Sequence, residues 1–179
     1  MRAVISFLVV SILSVAQTSR SEDLHPVLQA IVGVWTETGT LIAGQGAPPI
    51  PGEAEFTAKA NSSGTGVILK GSATYGPIMW DYEWTFSVGE RQEDYTPMVA
   101  TYKDSMGQAL QYKGQLDEKE ERLQLIAPIS DGEKAKAQVT LQEDGSLLIQ
   151  NVNENPEEIP QVIYNGTAKK VEATPKAAE

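Results

Sequence analysis

The stretch Trp80-Asp81-Tyr82-Glu83-Trp84-Thr85-Phe86-Ser87-Val88 decides the fold. Trp80, Tyr82, Trp84, Phe86 and Val88 fall on every second position, with Asp81, Glu83, Thr85 and Ser87 between them. Successive side chains of a strand point to opposite faces, so the run presents an aromatic face backed by a polar one, as a half-buried antiparallel strand does. The same period recurs along the chain. Ala54, Phe56, Ala58 and Ala60 alternate with Glu53, Glu55, Thr57 and Lys59. Met98, Ala100 and Tyr102 alternate with Val99, Thr101 and Lys103, then Leu110, Tyr112, Gly114 and Leu116 with Gln111, Lys113 and Gln115. Further strands are expected at 123–126, 135–141, 147–152 and 162–169. Gly and Asp stand between these runs, at Gly89, Asp104-Ser105-Met106-Gly107, Asp117, Asp131-Gly132 and Asp144-Gly145, where hairpins need them.

One short helix precedes the strands. Ser21-Glu22-Asp23 offers capping side chains, Pro26 suits a first turn, Leu24, Leu28, Ile31 and Val32 share a face, and Gly33 can end it. A short N-terminal helix followed by about nine or ten meandering strands predicts an all-β, antiparallel up-and-down barrel. A two-sheet sandwich is the competing architecture, but consecutive hairpins leave exposed edges unless the sheet closes on itself. Residues 24–171 read as one domain, with 43–52 (AGQGAPPIPG) and 153–160 (NENPEEIP) as loops too short to be interdomain linkers. Residues 17–23 and the Ala-rich tail 172–179 have too little apolar content to pack and are expected to be flexible and disordered, respectively.

The N-terminal residues 1–16 read as an export signal: a basic start at Arg2, an uncharged run around Phe7, Leu8, Val9 and Val10, and the small-x-small site Ser14-Val15-Ala16. That run is shorter than a membrane span and is dotted with Ser, so no span is expected after cleavage, and the location is periplasmic or extracellular. The 179 residues include no Cys and a single His, and carry a net charge of -10. Absence of thiol excludes disulfides, a Cys nucleophile and a thiolate metal site, and one His leaves almost no parts for a triad or a multi-His metal site. The acidic balance argues against a nucleic-acid partner. No cofactor is read from the sequence, and no oligomeric state is legible in it.

Gly33-Val34-Trp35, directly after the helical turn, resembles the G-x-W opening of lipocalin-like (calycin) barrels. The continuation Thr36-Glu37-Thr38-Gly39-Thr40, the aromatic strand at 80–86, the turn Asp104-Ser105-Met106-Gly107 and the ending Gly114-Gln115-Leu116-Asp117 are similar to a family of secreted, mostly bacterial proteins of unknown function. The resemblance covers residues 24–171 and implies that Gly33 and Trp35 are structural, Trp35 plugging one end of a barrel whose bottom the helix closes.

The aromatic stripe has three readings. It fills a small barrel, it lines a cavity that takes a ligand, or it faces outward and stacks on sugars, which would be a large exposed patch for a soluble protein. In the ligand reading Trp80, Tyr82, Trp84 and Phe86 form a wall extended by Tyr102 and Tyr112. Asp81 and Glu83 share the opposite face with carboxylates ~7 Å apart, a spacing inverting glycosidases use. Exposed carboxylates at such positions ordinarily keep a sheet face wet. Glu53 and Glu55 read the same way, and the acidic turn at 117–121 lacks the ligand order of a calcium loop. His25 lies ahead of the first strand, so a helix-capping or surface role is expected rather than haem ligation from a barrel wall. Asn61-Ser62-Ser63 and Asn165-Gly166-Thr167 match the glycosylation pattern, which has meaning only in a eukaryotic secretory route. Three classes of function follow in order: an exported barrel binding a small apolar or amphipathic molecule, an envelope interaction or structural protein with a filled barrel, and a carboxylate-dependent hydrolase.

Overall fold

Each alternating run pairs with its neighbour in the chain, and the first strand pairs with the last. The computed structural model describes residues 24–117 and 119–172. After the helix α1 (Pro26–Ile31) come β1 (Gly33–Ala43), β2 (Ile50–Ala60), β3 (Gly66–Tyr75), β4 (Ile78–Val88), β5 (Thr96–Asp104), β6 (Ala109–Asp117), β7 (Arg122–Pro128), β8 (Lys134–Leu141), β9 (Leu147–Glu154) and β10 (Pro160–Lys170). All ladders are antiparallel, and the order β1-β10-β9-β8-β7-β6-β5-β4-β3-β2 closes into a barrel. This is the expected up-and-down architecture, and the sandwich is excluded. The expected export signal and the leading segment 17–23 lie outside the described residues, as does the tail from 173 onward.

Closure removes every sheet edge and fixes which residues meet inside. Trp35 stands opposite Phe56, Gly71 opposite Tyr82, Trp84 opposite Tyr102, and Tyr164 opposite Asn151. The outward-facing reading of the stripe is therefore wrong: Trp80, Tyr82, Trp84 and Phe86 point into the barrel with Leu69 and Ala73 of β3. The expected loops 43–52 and 153–160 are shorter than their composition suggested. Pro51 and Pro160 sit within strands, and pairing carries β2 back to Ile50 and β9 on to Glu154.

One end is closed by α1. Its N-cap is His25, whose Nδ1 accepts the Val27 N–H at 3.3 Å, which is the helix-capping role expected of it; Ser21-Glu22-Asp23 lie outside the described residues. The helix ends before Gly33: Val32 is already extended, and Gly33 opens β1 with a φ of 150°, a conformation that side chains of L residues rarely adopt. Leu28 and Ile31 then sit over Trp35, whose Nε1 donates to the Ile31 carbonyl at 2.8 Å and whose ring stacks on Phe56 at 6.0 Å. The Lys170 ammonium lies over the Trp35 ring, 5.5 Å from its centroid. Val67, Phe86, Met98, Leu116, Leu123 and Leu147 complete a solid apolar floor.

Candidate functional site

Eight strands make an interior just wide enough for side chains to fill, and ten make a wider one. What fills it depends on residue size, and above the floor the inward positions turn small. Ala54, Ala73, Ala137, Gly39 and Gly71 take the place of the large residues below them. A cavity of about 520 Å³ results, within the range of small-molecule sites. It reaches the surface at the end opposite α1, where the exposed Ala43, Met106 and Gln108 form its rim. The barrel is thus filled only in its lower half, contrary to the filled-barrel reading.

The six aromatic residues singled out in the sequence all line this cavity. Trp84 is their hub: its ring stacks on Phe86 with centroids 5.5 Å apart and lies 4.9 Å from both Tyr102 and Tyr112. Trp80, higher on β4, packs 5.7 Å from Tyr75. Among the described residues, five of the six wall rings pack against another aromatic ring, Tyr82 being the exception. Gly33 and Trp35 belong to the floor and do not line the cavity.

Beside the wall, where Tyr75 meets Trp80, lies a polar cluster that the sequence reading missed. Glu37 of β1, Tyr164 of β10 and Tyr75 of β3 form a chain in which the Tyr75 hydroxyl donates to the Tyr164 hydroxyl at 3.1 Å, and Tyr164 donates to Glu37 Oε1. Gly166 makes room for it, since a methyl at that position would overlap the Glu37 carboxylate. Gly39 and Gly52 do the same for Tyr75, where an added methyl would approach the hydroxyl to 2.9 Å and the ring to 2.6 Å, respectively. Burial raises the Glu37 carboxyl to about 7, with the Tyr164 hydrogen bond opposing the rise. Burial, with the carboxylate nearby, also pushes the Tyr82 and Tyr164 hydroxyls well above their ordinary range and raises that of Tyr75, and Tyr112 rises to about 12 through burial. All four therefore stay neutral donors near neutral pH.

A signal for Glu37 was present: it shares the face of Trp35, Gly39 and Leu41, so a carboxylate was due inside the barrel. Tyr75 was missed because 66–75 was not read as a strand; its small residues Gly71, Ser72 and Ala73 blur the alternation.

Asp104, the second carboxylate on the cavity, is spent on its own turn. Its Oδ1 accepts the Met106 and Gln108 N–H groups at 3.0 and 2.9 Å, and Oδ2 accepts the Tyr102 hydroxyl at 2.9 Å. The Asp-Ser-Met-Gly sequence is thus an Asx turn whose Asp also orients a cavity ring.

The paired carboxylates considered for hydrolysis stand elsewhere. Asp81 is exposed on the outer face, and Glu83 is held there between Lys70 at 2.8 Å and Lys103 at 2.9 Å, which keep its carboxyl below the usual range. Glu53 and Glu55 are exposed as well. Neither sequon is a free loop: Asn61 Oδ1 accepts the Thr65 N–H in the β2–β3 turn, and Asn165 Oδ1 accepts from Gln150 on the sheet. Among the described residues no group of three or more His, Asp or Glu is placed to hold a metal ion, and no helix is long and apolar enough to cross a membrane.

The sequence matches no protein-family model and no curated protein. Among solved structures, the barrel is similar to the S-type phycobiliprotein lyase CPES from Guillardia theta, with a TM-score of 0.55 and 8% identity over 83% of this chain and 92% of that chain. At that identity the likeness shows the fold alone, a lipocalin-like barrel.

Proposed function

We propose that this protein is an exported carrier or receptor that takes a small, largely apolar or amphipathic molecule into the open end of the barrel. One observation carries the reading: a cavity of about 520 Å³ with a preassembled aromatic wall, sealed at one end by α1 and Trp35 and open at the other. Burying flat apolar surface against Trp80, Trp84 and Tyr102 supplies the affinity, roughly 25 cal/mol per Å² before the cost of immobilising the ligand is subtracted. Tyr75, Tyr164 and Glu37 supply the polar contacts that orient it. Residues 1–16 support export, and the G-x-W and Asp-Ser-Met-Gly motifs support membership of the secreted family they resemble. The fold shared with a phycobiliprotein lyase fits a ligand-holding barrel.

Trp80 and Trp84 stand in the cavity wall and report occupancy directly. Titration of the purified protein with a panel of lipids, pigments and aromatic metabolites should change tryptophan emission for at least one class. Trp80→Ala should weaken that binding about tenfold, an aromatic pair being worth about 0.5–1.5 kcal/mol beyond the area it buries and about 1.4 kcal/mol being tenfold. A flat response to the whole panel, together with native mass spectrometry of protein from its own source showing only the polypeptide mass, refutes the reading.

A further inference from the structure

The cavity has a charge asymmetry that its aromatic wall does not require. Two carboxylates, Glu37 and Asp104, line it, and none of the described lining residues is Lys, Arg or His. Asp104 already accepts three hydrogen bonds. Glu37 is 3% exposed and accepts one, from Tyr164. An ionised carboxylate has about four acceptor sites, so a buried one with a single donor and no facing cation is an incomplete ion site. Tyr164 and Tyr75 cannot complete it, because each hydroxyl has one proton and both are committed along the chain toward Glu37.

We propose, resting on the ligand-binding reading above, that the ligand is an amphipathic cation, a protonated amine carried on a flat apolar body, whose ammonium pairs with Glu37 while the body lies against Trp80 and Trp84. The chemistry on both sides agrees. Aromatic faces attract a cation as well as an apolar ring, and an ammonium gains most from them when it is desolvated. An anion would meet two carboxylates and no positive partner, and a neutral body would leave Glu37 unpaired. Gly166, where any side chain would strike the Glu37 carboxylate, preserves the space that group occupies.

The groups facing Glu37 are Tyr164 from β10, with Tyr75 from β3 and Tyr82 from β4 close enough to feel its charge, and none of them titrates near neutrality. Glu37 alone therefore sets the pH dependence. With its carboxyl at about 7 in the empty barrel, a ligand that needs the carboxylate must displace a proton below that pH.

Isothermal titration with three probes of one apolar body, naphthylethylamine, naphthylethanol and naphthylacetate, tests this. At pH 8 the amine should bind at least tenfold more tightly than the alcohol, and the acetate more weakly than either. Between pH 6 and pH 8 the amine's affinity should rise about tenfold, the ionised fraction of a group titrating at about 7 changing by that factor, while the alcohol's stays constant. Glu37→Gln should bring amine and alcohol within about twofold and abolish the pH dependence. If that variant does not fold, the pH series on the unaltered protein decides alone. Equal binding of amine and alcohol, or tightest binding of the acetate, overturns the cationic ligand and leaves the cavity reading standing. Binding of none of the three, with the flat panel response described above, removes both.

Discussion

At the closed end of the barrel the inward positions carry Trp35, Phe56, Val67, Phe86, Leu116 and Leu147, each less than 5% exposed. At the open end, on the same strands and faces, they carry Gly39, Ala54, Ala73, Trp80, Tyr82 and Tyr164, and a cavity remains. The strands are common to both halves; the small inward residues Gly39, Ala54 and Ala73 leave room at the open end, while α1 and Trp35 close the other. The lower half has no buried carboxylate among its core residues, whereas the upper half keeps Glu37 where large side chains would have displaced it. One end of the barrel holds the fold together, and the other spends part of that stability on keeping an ionisable group out of water.

The comparison breaks most completely at Trp35. Trp35→Ala removes the ring between α1 and Phe56 and should cost about 3–5 kcal/mol, read as a lowered urea midpoint with the helix signal lost first. A loss below about 1 kcal/mol would mean that the floor is not the stabilising half.

Next in size is the pH dependence of the upper half. The Glu37 carboxyl titrates at about 7 in the folded chain against 4.5 as its ordinary value. The stability it contributes is therefore present in full below pH 4.5 and is lost as the pH rises through 7. Relative to Glu37→Gln, the unaltered protein should lose about 3 kcal/mol between pH 4.5 and 7.5, measured by urea unfolding of both at each pH. Parallel curves for the two proteins would show that the group is better solvated than its burial implies.

Gly166→Ala sharpens the contrast at a single contact. The added methyl overlaps the Glu37 carboxylate, so the substitution should cost about 1–3 kcal/mol and shift the pH dependence along with the carboxylate. A fully stable Gly166→Ala protein with unchanged pH dependence would place the Glu37 side chain elsewhere in the barrel.

The smallest effect is expected outside. Glu83 lies on the outer face between Lys70 and Lys103. Surface ion pairs of this kind contribute little, so Glu83→Gln should leave both the urea midpoint and ligand binding unchanged within error. A change in ligand affinity would mean that the wall is sensitive to its outer face.

These contrasts also show what the alternation made legible. Period two in 80–88 identified the strand and its buried face without any contact being known, because a strand packed on one side must segregate its side chains. The six aromatic candidates followed from the same rule, and all six line the cavity. Glu37 obeys the rule too but escaped it, because a carboxylate at an inward position looks like an error in a hydrophobic pattern until its partners are seen. Its partner Tyr164 lies 127 residues away in the chain, and no local pattern links them. The capping role of His25 was legible for a local reason: it stands immediately before Pro26, at the position where the chain enters the first turn.

By itself, then, the sequence determined the up-and-down succession of the strands it read, the inward face of each of them and the chemistry that a chain with no Cys and one His excludes. Those are properties of spacing and composition, which act over a few residues. Tertiary structure decided that the sheet closes through β1 and β10, that ten strands leave more room than the upper side chains fill, and that Glu37, Tyr164 and Tyr75 meet beneath an aromatic wall. The reason is that the room inside a barrel depends on strand number, closure and the summed volume of residues far apart in the chain, and these quantities take a value only once the first strand has found the last.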